Sequence, residues 1–251
     1  MAVSQGRRQF GTGNSTGGVS IIIPVFNERE SIEQLIERTL AMEIPFTTKQ
    51  TIVVEDGSTD GTREWLEQRF PDGIAAAAGV QLIKQPRNLG KGASIRTALD
   101  YVTGDATVIM DADLELDPAD IPRLVMPILT GQVDVVFGNR FTGGRRSARN
   151  MVHFLTNRSL TLLVRLLTRL DLNDVEVGYK AFRTDLLRRM RLQSAGFEIE
   201  VELAVKLAKL PCRFGEVPVS YAGRADPSKK KFRWLDGMSA VLWVVYFRWQ
   251  D

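Results

Sequence analysis

The chain has 251 residues, of which 44% are hydrophobic and 25% charged, so it is long enough for a large buried core and is composed like neither a disordered protein nor a membrane bundle. Its formal net charge of +3 is too small to indicate a nucleic-acid-binding protein. One cysteine and one histidine exclude an internal disulfide and a histidine-rich zinc site, and they leave carboxylates as the candidate metal ligands.

The two ends of the chain differ in composition from its middle. Residues 1–18 are rich in Gly, Ser, Thr, Gln and Arg and predict a disordered leader. Residues 19–233 are expected to form one domain, which an amphipathic aromatic segment follows at 234–251. No apolar run approaches the roughly 20 residues of a membrane-spanning helix, and the amino terminus lacks the apolar core of a signal peptide. Together with the lone thiol of Cys212, this predicts a cytoplasmic protein.

Strands and helices are predicted to alternate from residue 19 onward. Residues 19–24 are nearly all β-branched, which is typical of a parallel strand buried on both faces. Asn27, with Glu30 three residues later, is expected to cap the helix that follows. A second strand at 51–54 leads into the polar, acidic turn 55–62.

A third short strand is predicted at 79–83, followed by the turn Asn-Leu-Gly-Lys-Gly-Ala at 88–93 and a helix. Backbone amides in such a turn could bind phosphate. The turn lacks the full spacing of a nucleoside-triphosphate loop, so we interpret it as a helix-opening turn.

The most informative stretch is 105–118, where four β-prone residues precede an acidic cluster. Asp111, Asp113 and Glu115 would alternate along extended backbone, so their side chains would lie on one face and could converge on one hard cation. The alternative interpretation is a solvated acidic turn ahead of a helix that begins at Pro118.

The alternation continues with a helix after Pro118 and a strand at 133–137 that ends at Gly138-Asn139-Arg140. This order over 19–140 predicts a mostly parallel sheet with right-handed crossovers. Ligands of such sheets bind beyond the carboxyl ends of the strands, where the acidic loops lie.

The second half of the chain contains two amphipathic segments. In 151–170, leucines at 155, 162, 163, 166 and 170 are expected on one face and arginines at 158, 165 and 169 on another. A helix packed on the sheet with solvated arginines is favoured over a membrane-surface helix. The aromatic residues of 234–249 would suit a helix lying in a membrane interface.

Between these segments we predict a strand at 179–183, a helix at 197–208 and a last strand at 214–219. Basic residues cluster in two places, and such clusters suit phosphates or an anionic membrane surface. The clustered residues are Arg140, Arg145, Arg146, Arg149, Arg224, Lys229, Lys230, Lys231 and Arg233.

The chain resembles the family 2 glycosyltransferases of GT-A fold, and among them the polyprenyl- and dolichyl-phosphate mannose or glucose synthases. The resemblance covers about 19–237 and is carried by a set of motifs in the family's order. These are Ile-Pro-Val-Phe-Asn-Glu at 23–28, Val-Glu-Asp-Gly-Ser-Thr-Asp-Gly-Thr at 54–62, Asn-Leu-Gly-Lys-Gly at 88–92, Asp-Ala-Asp-Leu-Glu at 111–115, Gly-Asn-Arg-Phe at 138–141, residues 174–183, Gly-Arg at 223–224 and Trp-Leu-Asp-Gly at 234–237.

The resemblance implies an α/β GT-A domain that uses a nucleoside-diphosphate sugar, GDP- or UDP-linked, and a divalent Mg²⁺ or Mn²⁺ ion in an inverting transfer. It implies a donor site, a metal site and a small catalytic set. The implied contacts of the nucleobase and ribose are Pro24, Phe26, Glu28, Val54 and Asp56, with Asp111 and Ala112 beside them. The implied phosphate contacts are Arg140, Arg224 and Lys230, and the last of these could equally be Lys229 or Lys231. The implied metal ligands are Asp111, Asp113 and Glu115, and the catalytic candidates are Asp113, Arg140 and Asp174.

Three functional hypotheses are considered, two of which differ in the acceptor. A polyprenyl phosphate is already an anion and needs no general base, and it would bring the protein to the inner face of an anionic membrane as a peripheral protein. A saccharide or small-molecule hydroxyl would need a carboxylate base, for which Asp174 is the candidate. The third hypothesis is a non-catalytic nucleotide-sugar or membrane-binding module, which the acidic cluster disfavours.

Overall fold

The computed structural model describes residues 17–45, 47–71, 74–75, 79–141, 151–223 and 234–249, with backbone alone at 74–75, 151–153 and 234–241. These residues form one sheet with helices packed against it. The strands are β1 Gly18–Val25, β2 Thr48–Glu55, β3 Ile74–Ala75, β4 Val80–Lys84, β5 Ala106–Ile109, β6 Val135–Asn139, β7 Lys180–Arg183 and β8 Phe214–Pro218. The α-helices are α1 Ile32–Ala41, α2 Thr62–Arg69, α3 Lys91–Leu99, α4 Ile121–Leu129, α5 Met151–Thr168, α6 Thr184–Arg189, α7 Ile199–Leu207 and α8 Trp234–Trp249.

The sheet has eight strands in the order β3-β4-β2-β1-β5-β7-β6-β8. Strand β1 pairs in parallel with β2 and β5, β2 with β4, and β6 with β8. Strand β7 runs antiparallel between β5 and β6. The predicted α/β architecture with a mostly parallel sheet is therefore confirmed, and the antiparallel β7 is a feature that strand-helix alternation does not predict.

The central strands are buried on both faces, which explains why they read as continuous apolar runs. Ile21, Ile22 and Ile23 of β1 and Ile52 and Val53 of β2 are all fully buried. Because neighbouring parallel strands end together, the loops after β1, β2 and β5 meet at one edge of the sheet. We refer to this edge as the carboxyl edge.

Two local predictions are wrong. Asn27 does not cap α1: its φ is +51°, its Oδ1 accepts the Thr59 N–H at 2.8 Å, and α1 begins after Ser31 without a side-chain cap. The carboxamide is used to join two loops, which the capping pattern cannot foresee. Strand β6 begins two residues later than predicted and includes Gly138 and Asn139.

The leucine face predicted for 151–170 is only partly correct, since Leu163 and Leu170 pack against the core and the other three leucines do not. Leu155, Leu162 and Leu166 are exposed, whereas the side of α5 that faces the core carries Asn157, Leu160, Thr161 and Val164. The packed side includes polar residues because Asn157 and Thr161 donate hydrogen bonds in the interior. The positions of the leucines alone therefore do not define the packed side of α5.

Several sequence predictions concern residues outside the described part of the chain. The leader lies there except for its last two residues, of which Gly18 already belongs to β1. The part of the chain that is not described also includes Arg145, Arg146, Arg149, Arg224 and residues 229–233. Among the residues that the structure describes, no helix is both long and apolar enough to cross a bilayer. The proposed boundaries at 19–233 and 234–251 stay a prediction.

Candidate active site

The predicted donor residues gather at the carboxyl edge of β1, β2 and β5. Pro24 lies opposite Val54 in the parallel register of β1 and β2. The Asp56 N–H donates to Val25 O at 2.8 Å, and the Met110 N–H donates to Ile22 O at 2.9 Å. The segments that follow these three strands therefore begin side by side, as the alternating pattern predicted.

Hydrogen bonds tie these loops together around Glu28. The Ser31 Oγ lies 2.9 Å from both Glu28 Oε2 and the Ala112 carbonyl oxygen. The Glu28 N–H donates to Thr62 Oγ1 at 3.0 Å. Glu28 is buried, so these bonds hold its carboxylate next to the start of the acidic loop. Of the residues predicted for the donor, Glu28 and Ala112 are thus joined through one serine.

Asp56 connects the edge of β2 to the turn that opens α3. Its Oδ1 accepts the Leu89 N–H at 2.8 Å and its Oδ2 accepts the Gly90 N–H at 2.9 Å. Burial raises the pKa of Asp56 above its ordinary value, and the two backbone N–H bonds oppose that shift. Asp56 therefore positions the turn in addition to any contact it makes with a donor.

Four of the six backbone N–H groups in the turn at 88–93 are bonded within the protein and are not available to a phosphate. The N–H groups of Leu89 and Gly90 are bonded to Asp56, and those of Gly92 and Ala93 donate to the carbonyls of Gly196 and Ala195. A Cβ at Gly90 or Gly92 would collide with the backbone of 194–196. The glycines serve close packing against that segment, in agreement with the interpretation as a helix-opening turn.

Lys91 is a functional candidate that sequence reasoning missed. Its Nζ forms ion pairs with the carboxylates of Asp111 and, at 2.6 Å, Glu200, and Glu200 is also paired with Lys180. Lys91, Lys180 and Glu200 are almost fully buried. The only hints in the sequence are the lysine in the glycine turn and the alternating glutamates of α7, and neither indicates its partner.

The electrostatics of this network favour the charged forms of Lys91 and Glu200. Burial opposes the charge on Lys91, but Asp111 and Glu200 outweigh it and raise the pKa of Lys91. Burial likewise opposes ionisation of Glu200, yet the two lysines hold the pKa of Glu200 below its usual range. Lys180 is more strongly affected by burial, which lowers its pKa. The result is a buried ionic network beneath Asp111.

The acidic loop does not have the extended geometry that its sequence suggested. Strand β5 ends at Ile109, Leu114 has a φ of +57°, and Asp113 Oδ1 accepts the Glu115 N–H at 3.1 Å. Asp111, Asp113 and Glu115 therefore do not alternate along a strand, and that prediction is wrong. Within the described residues, no three His, Cys, Asp or Glu side chains are grouped closely enough to hold a metal ion.

The donor set still fits a divalent metal bound together with a diphosphate. Lys91 engages Asp111, which leaves Asp113 and Glu115 as the candidate ligands of the loop. Carboxylate oxygens are the ligands that Mg²⁺ and Mn²⁺ prefer, and Mg²⁺ is commonly held by one or two carboxylates plus substrate phosphates. The assignment of all three acidic residues as metal ligands stays a prediction.

Arg140 follows β6, which β7 separates from β5, and a buried carboxylate holds its side chain in place. Its Nε and one Nη donate to the two oxygens of Asp174 at 2.7 Å each, and Asn157 Nδ2 donates to Asp174 Oδ1 at 2.8 Å. Burial opposes ionisation of Asp174, but Arg140 outweighs it and lowers the pKa of that carboxyl. Asp174 is fully buried, so it is placed to orient Arg140 and not to take a proton from an acceptor.

Tyr221 joins Arg140 to the acidic loop. The Arg140 guanidinium lies 5.4 Å from the centre of the Tyr221 ring, and the Tyr221 hydroxyl is hydrogen-bonded to Glu115. Burial, then the Glu115 charge, raises the pKa of Tyr221 to about 12. Sequence reasoning missed Tyr221 because it lies about a hundred residues from its partner and belongs to no acidic or basic motif.

Glu176 differs from the other carboxylates of the site. Its Oε1 is buried and has no hydrogen-bond partner among the described residues. Burial raises the pKa of Glu176 to about 7, with Arg140 opposing the shift and Asp174 and Glu200 adding to it. It was also missed by sequence reasoning, because its position inside 174–183 does not distinguish it. The other predicted phosphate contacts, Arg224 and Lys230, lie outside the described residues.

Comparisons with known proteins identify a matching family, similar sequences and similar folds. The family model described as glycosyl transferase family 2 matches residues 20–191. The chain is 30% identical to the undecaprenyl-phosphate mannosyltransferase of Micrococcus luteus over 252 residues, covering 92% of this chain and 96% of that protein. It is 31% identical to the glycosyltransferase AglJ of Haloferax volcanii over 211 residues, covering 84% of this chain and 65% of AglJ.

Other relatives are longer than this chain. The dolichol-phosphate mannosyltransferase of Pyrococcus furiosus is 28% identical over 205 residues, and the match covers 78% of this chain and 56% of that protein. Among solved structures, glucosyl-3-phosphoglycerate synthase from Mycobacterium tuberculosis in complex with Mg²⁺ and UDP superposes with a TM-score of 0.66 at 24% identity. That superposition covers 92% of this chain and 78% of the other, and it shows a shared fold.

Proposed function

The chain belongs to glycosyl transferase family 2, and from this premise we propose that it transfers a hexose from a nucleoside-diphosphate sugar to a polyprenyl monophosphate. The observation that carries the proposal is the oriented, permanently charged Arg140 at the carboxyl edge. Asp174 uses two of the five N–H donors of this guanidinium, and the others can bind a phosphate group. The printed names of three relatives, each a transferase acting on a polyprenyl or dolichol phosphate, support the choice of acceptor.

The donor is proposed to bind over the ends of β1, β2 and β5. The residues that would contact the base and ribose are Pro24, Phe26, Glu28, Val54 and Asp56, with Asp111 and Ala112 beside them. Arg140, Arg224 and Lys230 would contact phosphate groups. A Mg²⁺ or Mn²⁺ ion bound by Asp113 and Glu115 would neutralise the negative charge of the diphosphate as it departs.

In the proposed reaction, an acceptor phosphate oxygen forms a bond to the anomeric carbon while the bond from that carbon to the donor diphosphate breaks. The diphosphate leaves with the electron pair, and the configuration at the anomeric carbon is inverted. No proton has to move, because the acceptor is already an anion. Arg140 orients that anion, and Asp174 holds Arg140 in place. The metal ion and the basic residues would stabilise the negative charge on the leaving diphosphate, and they would do so more strongly in the transition state than in the bound donor.

This scheme is consistent with the state of the carboxylates. Asp174 and Glu200, two buried carboxylates of the site, are both paired with cations. Neither is available as a general base, and a phosphate acceptor requires none. We also propose that the protein works as a peripheral protein at the cytoplasmic face of a membrane, because a polyprenyl acceptor remains in the bilayer.

A hydroxyl acceptor is the second candidate, and Glu176 is the observation that favours it. A carboxyl group with a pKa of about 7 next to the site suits a general base that works near neutral pH. If Glu176 has this role, the Glu176→Gln variant loses transfer to hydroxyl acceptors. With a phosphate acceptor, the same variant is expected to retain transfer.

The test is a transfer assay with the purified protein, Mg²⁺ or Mn²⁺, GDP- and UDP-hexoses, and a short water-soluble polyprenyl phosphate beside the corresponding alcohol. We expect a lipid-linked sugar phosphate from the phosphate acceptor. Arg140→Gln should abolish it, whereas Arg183→Gln, which removes another Asp-paired arginine at the far end of β7, should not. Product from the alcohol alone, together with loss of activity in Glu176→Gln, would replace the proposal by the hydroxyl alternative.

A further inference from the structure

Helix α8 presents an apolar stripe to solvent. Its four members follow the i, i+3, i+4, i+7 spacing of a single helix face. They are Leu242, Val245, Tyr246 and Trp249. Leu242 is 72% exposed and Trp249 is 84% exposed. The opposite side, with Val244 and Phe247, is buried where α8 packs against α5 and α7. The stripe is therefore not needed to attach α8 to the domain.

Helix α5 carries a similar stripe directly beside α8. Leu155, Leu162 and Leu166 lie on the side opposite to the core, and Leu166 is 71% exposed. Arg248 Nε of α8 donates to the Leu167 carbonyl oxygen at 3.2 Å, so the two helices are in contact. Exposed apolar side chains concentrated on neighbouring helices mark an interaction surface. We call these seven residues of α5 and α8 the apolar face.

The charges around the apolar face select the kind of partner. Arg158 is exposed on α5, Arg169 is exposed just after its end, Arg248 is exposed beside Trp249, and α5 contains no acidic residue. A two-fold symmetric contact between copies of this chain would bring two positively charged surfaces together. An anionic lipid surface would instead neutralise them, and leucine and tryptophan side chains would enter the interface between headgroups and acyl chains.

The inner side of α5 connects the apolar face to the proposed acceptor site. Asn157 donates to Asp174, which orients Arg140. Phe154 of α5 packs edge to face against Phe141, the residue after Arg140, with ring centres 5.3 Å apart. Arg140 therefore lies next to the helix that carries the exposed leucines.

We propose that the apolar face is a docking surface for an anionic lipid bilayer, which it holds next to Arg140. The inference rests on the proposed function, since it assigns the surface through which a bilayer-bound acceptor reaches the site. Docking would be reversible and sensitive to salt, because the arginines act through screened charges. The lipid phosphate would then reach Arg140 while its chain stays in the bilayer.

The experiment is sedimentation of the protein with phosphatidylcholine vesicles that do or do not contain phosphatidylglycerol. The test variants are Leu166→Glu, Trp249→Glu and their combination. The matched control is Tyr101→Glu, which changes charge equally at an exposed aromatic residue just after α3. We expect wild type and control to bind anionic vesicles, binding to weaken with salt, and each test variant to bind about tenfold more weakly.

A transfer assay separates this inference from the proposed function. Transfer to a short soluble polyprenyl phosphate should be unchanged in the test variants, while transfer to a long-chain acceptor in vesicles should fall. If soluble transfer is absent in wild type, the proposed function fails whatever the vesicle result. If soluble transfer occurs but the variants bind vesicles like wild type, the docking surface is refuted. A wild-type dimer in ultracentrifugation that Leu166→Glu dissociates, with vesicle binding unchanged, would assign the face to a second copy.

Quenching of tryptophan fluorescence by brominated lipids tests the same contact without any variant that alters α5. Wild type should be quenched by vesicles that contain brominated acyl chains, and Trp249→Phe should lose most of that quenching. Full quenching in Trp249→Phe would place the contact elsewhere and overturn the inference.

Discussion

At the scale of single residues, the candidate site is defined by how its buried charges are paired. Arg140 is held by one carboxylate through two hydrogen bonds, whereas Glu200 is shared between Lys91 and Lys180. An unpaired charge in the interior is costly, so each of these pairs depends on both partners being present. Glu176 interacts with charges of both groups, and it avoids that cost by holding its proton at higher pH than an ordinary glutamate.

Asp174→Asn is predicted to destabilise the protein strongly, because it leaves the Arg140 charge buried beside a neutral partner. We expect the free energy of unfolding to fall by on the order of 3 kcal/mol in urea titrations. Asp171→Asn is the control: its pair with Arg165 is largely exposed, and the expected change is within about 0.5 kcal/mol. Equal small losses in both variants would mean that the Asp174 pair contributes no more than a surface pair.

Glu176→Gln is predicted to change how stability depends on pH. The folded protein holds the Glu176 proton up to a pKa of about 7, whereas an ordinary glutamate loses it near 4.5. Between these values the folded state binds more protons than the unfolded state, so this residue lowers the free energy of unfolding as pH rises. The glutamine side chain does not titrate, so in the variant this residue does not lower the free energy of unfolding as pH rises.

We therefore expect Glu176→Gln to be more stable than wild type at pH 8, by on the order of 1–3 kcal/mol, and the difference to shrink toward pH 5. Urea unfolding across this range measures it, with the exposed Glu64→Gln as the matched control. A difference that is independent of pH would show that Glu176 does not titrate in this window.

At the scale of elements, the candidate site is made of loops that are joined by side chains. Asp56 binds the turn before α3, Ser31 connects Glu28 to Ala112, and Tyr221 connects Arg140 to Glu115. Each connection joins segments far apart in the sequence. A change in one loop is therefore expected to act on the others.

Asp56→Ala is predicted to weaken binding of the free nucleoside diphosphate by about tenfold, because the N–H groups of Leu89 and Gly90 lose their acceptor and the turn that carries Lys91 loosens. Isothermal titration calorimetry measures this. Asp100→Ala, at the opposite end of α3, serves as the control and should bind like wild type. Unchanged affinity in Asp56→Ala would remove the α3 turn from the donor site.

The elements that the sequence predicted correctly are those with a strong local signal. Strands β1, β2 and β5 are runs of buried apolar residues, so their existence and their shared edge followed from the pattern alone. The outward face of α5 was missed because Asn157 and Thr161 are buried through hydrogen bonds that no periodicity encodes. Leu114 has a positive φ, which the sequence pattern does not indicate, so the acidic loop is not extended and its carboxylates do not alternate as predicted. Long-range partners such as Lys91 with Glu200 require the folded chain.

At the scale of the whole molecule, the carboxyl edge combines the functions proposed for it. The donor loops follow β1, β2 and β5, Arg140 follows β6, and α5 with its exposed leucines packs beside Arg140. Because these parts belong to one sheet, binding at the edge should stabilise the entire domain and not a single loop. This makes thermal unfolding a probe of the site.

Nucleoside diphosphate together with Mg²⁺ or Mn²⁺ is predicted to raise the melting temperature of wild type. A ligand at a hundred times its dissociation constant adds about 2.7 kcal/mol to the free energy of unfolding, which for a domain of this size corresponds to on the order of 5 °C. A chelator should remove most of that increase if the metal bridges Asp113 and the diphosphate. Asp113→Ala should melt like wild type without ligand, because Asp113 is not part of the core, and its melting temperature should rise little with ligand.

The control variant Asp100→Ala should show the full increase in melting temperature. An increase that survives the chelator and is equal in Asp113→Ala would mean that the nucleotide binds without a metal at this loop, and the metal assignment would then be wrong.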